Sequence, residues 1–287
     1  MTLLRPNDAC WDRAYQPLSL VYPEVRVTSW SLAEPGWCTA AALSTNPQAF
    51  ADVVAYEAAG IEADWATAPR PYVAATWALL HYGFYAAFAV AGPYLAAGLI
   101  PDLDLEGFAF QLPRHQSPGT AGWNNDGSDH RDQRPTIILA VQPRGWTDVA
   151  DTSIDEARSE LRRVHAQLFG PVLMAGRRAA RRSPRALWRA AADMLAGAMW
   201  RIGERLGDES SAAHEAALVL GDMTGPIPPY AGGANFRELP LPGGGTRLTR
   251  ERNDCCLAYT LGTGDPCITC PRLDDAQRAQ LLEIQRT

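Results

Sequence analysis

The chain has 287 residues, 47% hydrophobic and 20% charged, with a formal net charge of −6, enough for one large domain or two small ones with a substantial core. That balance excludes a general nucleic-acid binder, which carries a basic surface or stripe. No lysine occurs, so all 26 basic residues are arginine, as a GC-rich genome produces, and every fixed cation is a delocalised guanidinium suited to oxyanions.

The N-terminal stretch MTLLRPNDACWDRAYQ has no basic start followed by an apolar run, so no secretory signal is expected. A cytoplasmic setting keeps thiols reduced. Up to residue 45, Trp, Pro and short apolar runs predict irregular structure with one strand near 24–30. Asn46-Pro47 reads as an N-cap followed by Pro at the first helical position. Phe50, Val53, Val54 and Glu57 keep helical spacing until Gly60 stops the run. The run 72–100 lacks Asp, Glu and Arg and is long enough to span a bilayer. It also holds His81, many aromatic and Ala residues, and Gly92-Pro93, where a helix should break. It reads as a pair of buried core helices, with peripheral membrane association left as an open expectation. LEGFAFQL (105–112) and PTIILAV (135–141) read as strands, separated by a long polar loop containing His115, Trp123 and His130.

The second half reads as helical. Ser153 and Glu156 form a capping box, and Ile154, Ala157, Leu161, Val164 and Leu168 follow on one face until Gly170-Pro171. A second helix begins at Ser183-Pro184, with a stripe of Leu187, Met194, Leu195, Met199, Ile202 and Leu206; a third covers SSAAHEAALVLGDM. Residues 224–245 turn to Pro and Gly, as in a linker or extended wrap, and 274–284 form a short amphipathic tail. The expected class is α+β: a mixed N-terminal part with a few strands, a largely helical second half and a C-terminal cysteine loop. The division falls into a body, 1–245, and a metal-binding segment, 246–287.

Four of the six cysteines lie within CCLAYTLGTGDPCITC, at Cys255, Cys256, Cys267 and Cys270. Ten residues let the chain double back so that four thiolates meet, and Cys-x-x-Cys chelates one metal through a tight turn. Gly262 and Gly264 in the intervening loop permit positive φ and close approach of backbone N–H groups to sulfur. Structural zinc commonly uses two Cys-x-x-Cys knuckles, and an adjacent Cys-Cys pair lacks that turn. A two-iron cluster offers two metal atoms to the pair. A vicinal disulfide is strained and opposed by the compartment. Spacing favours [2Fe–2S] over zinc and leaves both open; it matches neither plant-type nor bacterial ferredoxins.

This pattern resembles the FhuF-like ferric-siderophore reductases. The likeness is carried by Cys-Cys-x10-Cys-x2-Cys, by the surrounding Arg250, Tyr259, Gly264 and Pro271, and by SPRALWRAAADML (183–195) upstream. It is loose over the first 150 residues. The resemblance implies a cytoplasmic oxidoreductase that reduces Fe(III) in an imported siderophore, with the four cysteines holding a [2Fe–2S] cluster. Oxygen-donor siderophores bind hard Fe(III) far more tightly than Fe(II), so one electron releases the metal and spares the chelator. No strand-linked GxGxxG for a dinucleotide occurs. The electron is therefore expected from an external donor, a ferredoxin or a flavin-dependent reductase.

Other candidates carry two readings each. Arg177, Arg178, Arg181, Arg182 and Arg185 form either a solvated basic turn or a docking patch for an acidic electron donor or an anionic siderophore. Arg250 and Arg252 either raise the cluster's potential, contact substrate, or are simply exposed. Tyr259 and Trp123 either stack on substrate or pack ordinarily; His115 and His130 either bind metal or are solvated. His81 reads as a satisfied core histidine, and Cys10 and Cys38 as buried, unliganded thiols. Competing functions are an iron–sulfur redox or iron sensor acting through a protein partner, and a protein pinned by a structural zinc on the four cysteines.

Overall fold

The structure is a computed structural model that describes residues 8–29, 36–112, 137–221, 227, 229–262 and 266–284. Its centre is helix α4 (Pro71–Ala97), buried along most of its length. Around it pack α1 (Asp8–Val21), α3 (Pro47–Trp65), α5 (Ile154–Ala180) and α6 (Pro184–Leu206), while α7 (Glu209–Leu220) lies on α6. The short α2 (Ala40–Thr45) joins α3 to the sheet region. Gly83 makes the α4–α5 crossing close: a Cβ there would run into the Phe169 ring.

One sheet orders β1 (Val25–Ser29), β5 (Ile137–Val141), β4 (Phe108–Gln111) and β2 (Trp37–Thr39), with β1 and β5 parallel and the other pairs antiparallel. A two-stranded piece pairs β3 (Leu99–Pro101) with β6 (Trp146–Asp148). The third sheet is a hairpin of β7 (Phe236–Pro240) and β8 (Thr246–Arg250), followed by α8 (Asp275–Ile284). The class is α+β, with the main sheet built in the N-terminal half and helices filling most of the second half.

Local signals with short reach agree with the structure. Asn46 caps α3 with Pro47 behind it, and Ser153 and Glu156 close a capping box on α5. The three expected strands form, β1 within 24–30, β4 within 105–112 and β5 within 135–141, and the tail is helical, whereas β2, β3, β6, β7 and β8 lie outside the expected strands. Breakers behaved differently. The run 72–100 holds one helix, since α4 continues through Pro93. Pro93 has no N–H for the Ala89 carbonyl, and the buried Tyr15 hydroxyl on α1 donates to that carbonyl at 2.8 Å instead. Likewise α5 passes Gly170-Pro171 and runs to Ala180. Pro171 faces solvent, where water can serve the carbonyl it leaves without an N–H, and buried residues flank it. α3 continues past Gly60 to Trp65, because Ile61 is buried in a small cluster beyond that point.

The N-terminal stretch expected to be irregular contains α1, whose Ala14, Tyr15 and Leu18 are buried despite Pro17. By length and hydropathy α4 qualifies as a membrane-crossing helix, but its apolar window is 89% buried inside the protein. The 245/246 division falls in the hairpin turn, so the strand before it pairs with the strand after it.

Candidate metal centre

The hairpin and α8 sandwich the cysteine segment. Leu239 and Leu241 from the first arm meet Ile268 and Leu282, with Leu281 alongside, in a cluster separate from the main core. Arg278 on α8 is fully buried. Its guanidinium donates to the carbonyls of Ile268 at 2.8 Å, Cys270 at 3.2 Å, Leu273 at 3.3 Å and Arg250 at 3.4 Å. One side chain therefore fixes the end of β8 and both sides of the Cys-x-x-Cys turn. That turn is closed by the Cys270 N–H on the Cys267 carbonyl at 2.8 Å. The Arg252 N–H donates to the Thr269 carbonyl at 2.9 Å, tying the strand before the cysteine pair to the second half of the motif.

The segment is held to the helical body by Asp193 of α6, whose side chain is fully buried. Its carboxylate accepts from the Arg250 guanidinium, from the Asn253 backbone at 2.8 Å and Nδ2 at 3.1 Å, and from the Asp254 backbone at 2.9 Å. Arg250 also donates to the Asp193 carbonyl at 2.7 Å. Arg182, just past α5, donates to both Asp254 oxygens at 2.8 and 3.0 Å and to the Cys255 carbonyl at 2.6 Å. From α4, Trp77 Nε1 donates to the Cys256 carbonyl at 2.9 Å. Leu261 is buried against Ile61, Val73 and Ala74, and Leu257 packs beside it.

Within this frame the thiols run in a row: Cys256 donates to Cys267, which donates to Cys270. The bond to Cys267, then burial, push the Cys256 thiol well above its ordinary value. At Cys267 the bond received from Cys256 lowers the value, but the bond given to Cys270 and burial carry it upward overall. Cys270, at the accepting end, is lowered to about 7, chiefly by the bond from Cys267. The charges of Cys255 and Cys256 are felt at Cys270. Backbone N–H groups add to this: Leu257 donates to Cys255 Sγ at 3.4 Å, Ala258 to Cys256 and Arg272 to Cys270. Leu257 adopts a left-handed φ of 67°, uncommon outside glycine, which starts the short 3₁₀ turn Ala258–Thr260.

Among the described residues no group of three or more His, Cys, Asp or Glu side chains is arranged so that it could hold a metal ion. The donor chemistry nevertheless fits a thiophilic centre. Four soft sulfurs belong to one segment, Cys256, Cys267 and Cys270 interact in a row, three of the four have backbone N–H donors, and Arg252 acts on two of them. The Arg252 side chain is 11% exposed, and its Nε and one terminal nitrogen are buried without a hydrogen-bond partner. Burial works against its charge, but Cys256, Asp193 and Cys267 together keep it protonated. Compared with known proteins, the chain matches no family model and no curated protein.

The remaining candidates divide by position. Arg250 is 2% exposed and serves Asp193, so it is neither a surface cation nor a substrate contact. Arg182 turns inward, whereas Arg178, Arg181 and Arg185 are exposed and Arg177 is half-buried. Tyr259 is 40% exposed, with the Arg272 guanidinium 4.0 Å from its ring centroid. His81 meets Glu57 at 2.8 Å in the interior. Cys10 is buried and Cys38 half-buried, and neither forms a disulfide. His115, Trp123, His130 and Gly264 lie outside the described residues; Gly262 has φ of 97°. Sequence reasoning missed Asp193, Trp77, Asn253 and Arg278. An acid inside the Ala-rich run AAADML was the one visible signal among them, since a lone acid flanked by apolar residues on a helix invites a buried partner.

Proposed function

We propose that this protein is a cytoplasmic ferric-siderophore reductase in which Cys255, Cys256, Cys267 and Cys270 hold a [2Fe–2S] cluster. The observation that supports this best is Arg252. A buried guanidinium with two nitrogens that make no hydrogen bond, and with Asp193 3.9 Å away, is costly beside neutral thiols, and cluster-bound, anionic sulfur at Cys256 and Cys267 would match it. When bound, such a cluster supplies electrons one at a time, the count that reduces Fe(III) to Fe(II).

The chain's own residues supply the rest. Asp193, Arg182, Trp77 and Arg278 position the ligand backbone, and the Leu257, Ala258 and Arg272 N–H groups direct partial positive charge at sulfur. Tyr259 and Arg272 form the exposed edge beside the cysteines, where a chelate approaches. In the net reaction one electron leaves a reduced ferredoxin or flavin-dependent reductase and reaches siderophore-bound Fe(III). Fe(II) then dissociates from the hard oxygen donors, and the chelator is unchanged. No general acid, base or nucleophile is required.

The test is EPR of anaerobically purified protein before and after dithionite, with iron and zinc assays on the same sample, followed by turnover of a ferric siderophore. An S = 1/2 signal on reduction with about two irons per chain is expected. Cys256→Ser and Cys267→Ser should lose the iron and the turnover while keeping the helical circular dichroism. A colourless protein with about one zinc per chain would replace this reading with a structural knuckle.

A further inference from the structure

The five arginines between residues 177 and 185 do not act as one group. Arg182 is consumed by Asp254 and the Cys255 carbonyl. Arg178, Arg181 and Arg185 stay outside, Arg177 is half-buried, and the exposed Arg70 at the start of α4 joins them. Arg70 donates to the Tyr72 hydroxyl at 3.3 Å, and the Arg181 guanidinium lies 5.6 Å from the same ring's centroid. Tyr72 in turn packs on the apolar cluster that seats Leu261 and Leu257. A cationic surface therefore adjoins the cysteine loop on two sides: through Tyr72, and through Arg182, which lies within the same turn. Among the described residues no acid pairs with Arg70, Arg177, Arg178, Arg181 or Arg185, although the chain as a whole is at −6.

We propose that Arg70, Arg177, Arg178, Arg181 and Arg185 are the docking surface for an acidic one-electron carrier protein of the ferredoxin kind. This inference rests on the redox reading of the adjacent cysteines. The cations stand on three helix ends rather than converging on one point, which suits a broad surface of opposite sign better than a small chelate. Guanidiniums tolerate desolvation and grip carboxylates in bidentate pairs. A local positive field on a negative protein also orients an acidic partner before contact, so that it arrives beside the cysteines.

The experiment titrates the full chain with an acidic plant-type [2Fe–2S] ferredoxin by calorimetry, at low and at physiological salt. Basic cytochrome c and phosphatidylglycerol vesicles serve as alternative probes. The variant Arg178→Glu/Arg181→Glu/Arg185→Glu alters three exposed side chains. Wild type should bind ferredoxin, with affinity falling roughly tenfold as salt screens the contact, and the variant should lose at least that factor at low salt. Absent ferredoxin binding, equal affinity of the variant, or a preference for cytochrome or vesicles would each overturn the proposal. Dithionite-driven reduction of a ferric siderophore, run on both proteins, separates the two readings. If neither protein turns over while ferredoxin binding is intact and variant-sensitive, the reductase reading falls and the docking surface stands. If both turn over equally with dithionite and the variant binds ferredoxin normally, the docking surface falls alone.

Discussion

Replacing Asp193 by Ala should detach the cysteine segment from the helical body without unfolding that body. The carboxylate accepts from Arg250, from two groups of Asn253 and from the Asp254 backbone, all where α6 meets the end of β8. Arg250 is itself 2% exposed, so its charge would be left without an anion. Removing one partner of a buried ion pair costs about 3–5 kcal/mol. Spread over the whole protein this would lower stability uniformly. Concentrated at one attachment, it raises the open population of the segment by roughly 150- to 4,000-fold. Thiol labelling of reduced protein under native conditions reads the difference. The four C-terminal cysteines should label faster by about that factor, while Cys10, which packs in the main core, should not change. Equal acceleration at Cys10, or none at the four, would refute the anchoring argument. The double variant Asp193→Leu/Arg250→Met should recover much of the loss, because an apolar pair leaves no buried charge.

Two further outcomes concern the helical body. Tyr15→Phe removes the only donor seen on the Ala89 carbonyl among the described residues and should cost about 1–3 kcal/mol in urea melts; Pro93→Ala restores a backbone donor, so a double-mutant cycle should show coupling, and strict additivity would contradict the assignment. Glu215 is held below the ordinary carboxylate value: burial raises it, but hydrogen bonds from Arg158 and Tyr94 outweigh that. A depressed acid contributes its full stabilisation above its unfolded value, and this is lost as pH falls through the lower folded value. Glu215→Gln should therefore be destabilised by about 1–3 kcal/mol at neutral pH, with the gap to wild type closing in acid; a gap that persists unchanged there would assign the effect to packing.

Legibility depended on how far a signal had to reach. The capping box of Ser153 and Glu156 spans three residues, and the sequence alone is enough to place it. Pro93 looks like a helix end because a sequence window does not show Tyr15, which lies 74 residues away from the carbonyl it serves. The cysteine spacing located the candidate site. Nothing in GRRAARRSPR tells that Arg182 turns inward while its neighbours stay outside, because its partner Asp254 lies 72 residues on. Arg278 reads as the polar face of an amphipathic tail and is instead the most connected side chain around Cys-x-x-Cys. Carbonyl acceptors leave no trace in side-chain identity.

The unit formed by β7, β8, the cysteine segment and α8 has an apolar core of only a few leucines and one isoleucine, too small to hold such a unit by itself. What surrounds the sulfurs instead is charge: Arg250, Arg252 and Arg278 are all buried or nearly so, and Asp193 is the one fully buried acid among them. Buried ion pairs are weak sources of net stability but hold one geometry against others, which is what a ligand set needs. Glu251 also lies 3.7 Å from Arg278, and Asp254 acts on Arg252, so acids and cations alternate around the sulfurs. Metal binding should then contribute folding energy to this unit specifically. Stripping the metal with a chelator should increase hydrogen exchange across 236–284 while leaving α4, α5 and α6 protected. If protection fell equally in α4, the segment and the body would share one cooperative unit, and the arginines would be supporting the whole fold rather than poising a loop.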